Sequence, residues 1–267
     1  MKKVLSLLAA FAFGMLLFAS PASAQSATIT LIHGIPDTDV DVVVGGEVVF
    51  EGFSFGQTQD LSSFAGQTLP GVQVVVAGTD TVAIDAGDVA LPASGNFSVI
   101  AHLDADGNPA IGVFENDTSA IAAGQGRIVV RHAAAAPAVD ILANGDVAFA
   151  NVANGAEGSA DLAAGTISVS VVPTGATEPV VIGPADIPVT EGTSLIVYAV
   201  GSLDDGTLTV LDQSITGLGS APTAVNTGNS PIDADSSNAA PIFWVGIGAA
   251  ALIAGVFATR RLAAVRS

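Results

Sequence analysis

Histidine is the one side chain whose ordinary titration falls near neutral pH, and this chain carries three: His33, His102 and His132. His33 and His132 close the similar runs TITLIH and RIVVRH, 99 positions apart. A residue so placed could serve as a general base or a metal ligand. A hydrolase triad would also need a nucleophile and an orienting acid, and no G-x-S-x-G elbow occurs in the sequence. A zinc site would need three or four N, O or S ligands, and there is no cysteine to supply sulfur. The expectation is therefore that each histidine packs at a strand end and hydrogen-bonds the turn that follows. An envelope-acting hydrolase using His33 or His132 is the alternative.

Asp37, Asp39 and Asp41 alternate along the chain, so within a strand they would share one face. Three clustered carboxylates call for solvent or a bridging cation, and Ca²⁺ takes six to eight oxygens. These three form the candidate calcium site, and no other cofactor is expected. Only Asp41 has a counterpart 99 residues on, Asp140. Asp104-Ala105-Asp106-Gly107-Asn108 has the look of a cation loop but lacks the spacing and glutamate of an EF-hand, and reads instead as a hairpin turn.

The elements that must position these residues repeat. Val40-Asp41-Val42 is echoed by Val139-Asp140-Ile141, and Gly46-Glu47-Val48-Val49-Phe50 by Gly145-Asp146-Val147-Ala148-Phe149, both at an offset of 99. Leu91-Pro92 and Ile100 match Ile187-Pro188 and Ile196 at an offset of 96. Short β-branched runs of period two, separated by Gly, Pro, Asn or Asp, predict strands, with Gly45-Gly46 and Asn144-Gly145 as tight hairpin turns. The fold class is all-β: two tandem immunoglobulin-like β-sandwich domains, over residues 25–119 and 126–214, joined by a connection at 120–125.

His33-Gly34-Ile35-Pro36-Asp37-Thr38-Asp39-Val40-Asp41-Val42, followed by the Gly46–Phe50 hairpin and Phe53-Ser54-Phe55-Gly56, resembles the domain-of-unknown-function 4397 family. The second copy matches at His132 and at Ala136-Pro137-Ala138-Val139-Asp140-Ile141. It departs at Ala134-Ala135 and at Val152-Ala153-Asn154-Gly155, where the aromatic stretch is missing. The resemblance implies exported or surface-anchored bacterial or archaeal β-domains in tandem, with no catalytic residue to carry over.

Both ends read as targeting segments. Lys2-Lys3, an apolar run from Val4 to Ala19 and Ala22-Ser23-Ala24 describe a signal peptide over residues 1–24. Ile242 to Thr259 is uncharged and long enough for about 27 Å of helix, a transmembrane span flanked by Trp244 outside and a basic tail, 260–267, inside. Residues 215–241 are small, polar and rich in Pro and Gly, and read as a disordered stalk. All 25 acids lie between residues 25 and 240 against only Arg127 and Arg131, a net charge of −23 for that part. Such a surface repels nucleic acid, which is not an expected partner.

These features predict a cell-membrane protein with a single span, its N-terminal domains extracellular and its C-terminus cytoplasmic. Its role is non-enzymatic, in binding, adhesion or structure, and the ligand lies at the surface or in the envelope. Intact-mass measurement of the exported protein is expected to give a mature N-terminus at Gln25. Retention of Met1 to Ala24 would contradict the cleavage.

Overall fold

The computed structural model describes residues 26–220, all within one compact unit. The segments expected to be a signal peptide, a membrane span at Ile242–Thr259 and a basic tail, and most of the expected stalk, lie outside the described residues. Among the described residues there is no α-helix, and so none long and apolar enough to cross a membrane.

The first copy contains β1 (Thr28–His33), β2 (Val40–Val44), β3 (Glu47–Phe53), β4 (Thr58–Asp60), β5 (Thr68–Val76), β6 (Val82–Ala90), β7 (Asn96–Leu103) and β8 (Pro109–Glu115). The second contains β9 (Gln125–Ala135), β10 (Val139–Ala143), β11 (Asp146–Val152), β12 (Glu157–Ala163), β13 (Gly165–Pro173), β14 (Ile182–Val189), β15 (Ser194–Ser202) and β16 (Thr209–Ile215). Gly45 and Gly46 (φ 62° and 85°), like Asn144 and Gly145 (φ 52° and 90°), have the left-handed backbone that a two-residue hairpin turn requires.

Each copy is a sandwich of two four-stranded sheets. The orders are β3-β2-β5-β6 with β4-β1-β7-β8, and β11-β10-β13-β14 with β12-β9-β15-β16. This corrects the immunoglobulin-like expectation. In the immunoglobulin arrangement the first two strands are neighbours in one sheet. Here β1 and β2 lie in opposite sheets, and β1 pairs in parallel with β7 as β9 does with β15. The parallel register also revises the repeat. It sets Ile32 opposite Ile100 and Arg131 opposite Tyr198, so Ile100 and Tyr198 correspond at an offset of 98, and the matches at 96 are not structurally equivalent.

Alternation along β1, β7, β9 and β15 sends one set of side chains into its own sandwich and the other outward. In the first copy Leu31, Val42 and Val74 fill the core, and in the second Ile128, Val130 and Val171 do the same. The outward sets meet each other: Ile32, Ile100 and Phe114 pack on Val129, Ile196, Tyr198 and Val200 in a third apolar core. The two sandwiches therefore stack sheet on sheet as four layers. Nine consecutive residues of β9, Gly126 to Ala134, are buried, because both faces of that strand are covered.

The chain is also held to this block beyond the predicted end of the second domain. Ile121 in the connection is fully buried and exchanges backbone hydrogen bonds with Leu218 and Ser220, so the described part of the stalk lies on the body.

Arg127 and Arg131, the sole lysine or arginine residues between 25 and 240, both lie at the seam between the copies. Arg127 grips Asp161 with Nε and Nη2 (2.7 and 3.1 Å) and reaches Asp117 of the first copy at 2.9 Å. Arg131, 1% exposed, pairs with Glu157 at 2.7 Å and donates to the Tyr198 hydroxyl at 2.9 Å. Its guanidinium also lies 4.5 Å from the centre of the Phe114 ring. Arg131→Ala is expected to cost about 3 kcal/mol, short of the limit for a fully buried pair because Glu157 is 39% exposed. Calorimetry should then resolve the single transition of the parent into two, and one unshifted transition would refute the coupling.

Candidate functional site

His33 and His132 hold the same post. The Nε2 of His33 lies 2.6 Å from the Thr38 carbonyl, and that of His132 lies 3.0 Å from the Pro137 carbonyl, five residues on in each copy. A carbonyl only accepts, so each Nε2 carries a proton and each Nδ1 presents a lone pair. In His132 that lone pair accepts the Ala134 amide at 3.3 Å. In His33 the Nδ1 is buried without a partner, and Phe53 stacks on the ring with centroids 5.7 Å apart. Among the described residues no hydroxyl or carboxylate oxygen makes a hydrogen bond with either ring. The third histidine, His102, engages the Leu103 carbonyl at 2.8 Å. Burial lowers the proton affinity of all three imidazoles, outweighing the carbonyl contacts that raise it.

The structure does not place the three carboxylates of the calcium expectation on one strand face. β2 begins at Val40, so Asp37 and Asp39 precede the strand, and Asp37 lies in a turn with φ 58°. The alternation that would align three carboxylates on one strand face does not arise. Asp37 and Asp39 border an open polar groove with Ser54, Phe55, Gly206 and Thr207, while Asp41 points elsewhere. Among the described residues no group of three or more His, Asp or Glu converges as a metal site.

Asp41 has a structural task instead. It sits opposite a β-bulge in β3 and accepts the amide of Gly52 (φ 61°) at 2.8 Å. Asp140 repeats the arrangement, accepting the amides of Asn151 (φ 54°) at 2.7 Å and Gly175 at 2.9 Å. Those two amides hold its carboxyl below the ordinary value. The V-D-V element thus marks the carboxylate that secures the bulge.

Sequence reasoning missed an apolar cavity of about 400 Å³ between the sheets of the first sandwich. Its walls include Leu31, Val40, Phe50, Phe53, Val74 and Phe97, and Asp60 is the one ionisable residue among them. An engineered apolar void of about 150 Å³ stays dry and binds benzene. This one is larger and lies in the range of small-molecule sites. Phe50, Phe53 and Phe97 border the core of the first sandwich as well as the cavity. Nothing in a one-dimensional pattern distinguishes a side chain packed against a neighbour from one that borders a void.

The histidines set the acid response. Each binds a proton less readily in the folded chain than at its ordinary value of 6.5, so its contribution is complete above that value and is lost as pH falls below it. In salt sufficient to screen the acidic surface, the Tm is expected to fall between pH 7 and 5. His132→Asn should flatten part of that fall, and an unchanged profile in the variant would refute the assignment. Asp140 acts lower down, stabilising above its ordinary 3.8 and losing that contribution as pH drops further.

No curated protein matches the chain. The family model of the domain of unknown function DUF4397 matches it twice, over residues 27–142 and 132–236. The second match opens on His132 itself, and the two together span both sandwiches and most of the sequence. The chain belongs to the DUF4397 family.

Proposed function

We propose that this is an exported, membrane-anchored surface protein whose two sandwiches form one rigid binding module without catalytic activity. The observation that carries the reading is the commitment of its reactive side chains to structure. His33 and His132 are tied to the backbone of their own turns, and both arginines are consumed at the seam. A general base must reach the proton it abstracts within about 3 Å, and among the described residues no hydroxyl hydrogen-bonds either buried imidazole. The first sandwich, with its cavity, is the recognition domain, and the second is its support. The signal peptide and the span Ile242–Thr259 supply export and anchorage in this reading, and the acidic surface keeps the module soluble and away from anionic lipid.

Digestion of intact cells tests the topology. Trypsin has little purchase, since residues 25–240 contain only Arg127 and Arg131 and both are buried. Proteinase K is expected to cut in the 221–241 segment and release the two-sandwich body intact into the medium, where trypsin releases nothing. A body that survives proteinase K on whole cells and is digested only after lysis would overturn surface display.

A further inference from the structure

We infer that the cavity of the first sandwich is a binding site for a neutral, long-chain apolar molecule. This deepens the binding reading above by naming the site and the chemical class. Protein interiors contain few voids larger than a water molecule, so an apolar space of about 400 Å³ between two sheets is a departure from ordinary packing. Its wall residues run out to the surface, where Val49, Phe64 and Val113 are 47%, 38% and 61% exposed, so a ligand has an apolar path inward.

The second copy shows how the same fold closes that side. There β12 runs seven residues along the sheet edge, and the ring of Phe149 lies against Gly158, bridging the two sheets. In the first copy the equivalent of Gly158 is Gln59, whose side chain denies the ring that seat. Phe50, the counterpart of Phe149, turns toward Phe53 instead, with ring centroids 6.4 Å apart. The edge strand β4 stops after three residues and gives way to a helical turn, Ser62–Phe64, that brings Phe64 to the cavity. The opening is thus built by differences confined to the first copy.

Charge selects the class. Between residues 26 and 118 there are 13 acids and no lysine or arginine. The carboxylate of Asp60, at the wall, accepts the Ser62 amide at 2.8 Å, and the Ser62 hydroxyl together with that amide holds it below its ordinary range. No cationic side chain is present to receive a carboxylate or phosphate head. A fatty-acid anion or a phospholipid would meet only like charge, whereas an alcohol, a hydrocarbon or an isoprenoid chain would not.

Photolabelling of whole cells producing the full chain tests this, with diazirine-bearing dodecanol compared with the matching dodecanoate. The alcohol is expected to label β3, β6 and β8 around the cavity at least tenfold more than the carboxylate at pH 7. Ala101→Leu, which grows a buried wall residue into the space, should reduce that labelling at least tenfold without lowering the Tm. Val89→Phe, on the edge strand β6, provides a second variant should the first fold poorly. Equal labelling by dodecanoate would overturn the charge class. Labelling confined to residues 242–259, or undiminished in both variants, would overturn the site. Neither outcome depends on which side of the membrane the body lies, so a failure of surface display is recognised separately.

Discussion

Between residues 25 and 240 two guanidinium groups stand against 25 carboxylates, and the fold uses both of them in one place. Had Arg127 and Arg131 been dispersed over the surface, each would have offset a little local repulsion in high dielectric, where ion pairs contribute about 1 kcal/mol or less. At the seam they do more. The planar fork of Arg127 holds Asp161 of the second sandwich while its remaining nitrogen takes Asp117 of the first. Arg131 places a desolvated charge between Phe114 and Tyr198, with Glu157 to neutralise it. The surrounding apolar core keeps water away from these contacts and strengthens them.

From that seam the polar order spreads through the third core. The Tyr198 hydroxyl donates to Oε1 of Gln213 at 2.8 Å, and the Ser98 hydroxyl of the first sandwich donates to the same oxygen at 2.7 Å. Asn116 then links Ser98 to Asn96. At the far side, Asn154 spans the copies by donating to the carbonyls of both Leu103 and Ala134. Two domains with a like-signed surface would drift apart on a flexible connection. Here the apolar faces of two sheets and a satisfied network between them fix the relative position, so the second sandwich can act as a rigid support for the first.

Duplication then lets the two copies divide their tasks. The histidine that closes its own turn and the aspartate that secures the bulge are needed by the fold and occur in both. The features that differ lie at the β3–β4 edge, where Gln59 replaces Gly158 and a helical turn replaces half a strand, and there the first copy opens a cavity that the second fills with Phe149. The outward face differs at one position as well: Phe114 stands where the second copy has Gln213, which accepts the Tyr198 and Ser98 hydroxyls.

Much of this was legible in one dimension because the governing forces are local. Period-two runs, left-handed turn residues at Gly45-Gly46 and Asn144-Gly145, and the duplicated histidine and aspartate all express geometry within a few residues of the chain. The sequence by itself determined an all-β, duplicated, strongly acidic molecule, and it determined that each histidine would answer to its own turn. Only the tertiary structure decided which strands neighbour one another, because a run such as TITLIH pairs equally well by its pattern with any partner of like periodicity. It alone decided that β9 would be buried on both faces, turning Arg127 and Arg131 from isolated charges into the seam, and that Asp37 and Asp39 would leave the strand and part from Asp41. The cavity belongs to the same class, since a void is defined by the distance between two sheets, a quantity set by the whole set of side chains between them and carried by no single residue.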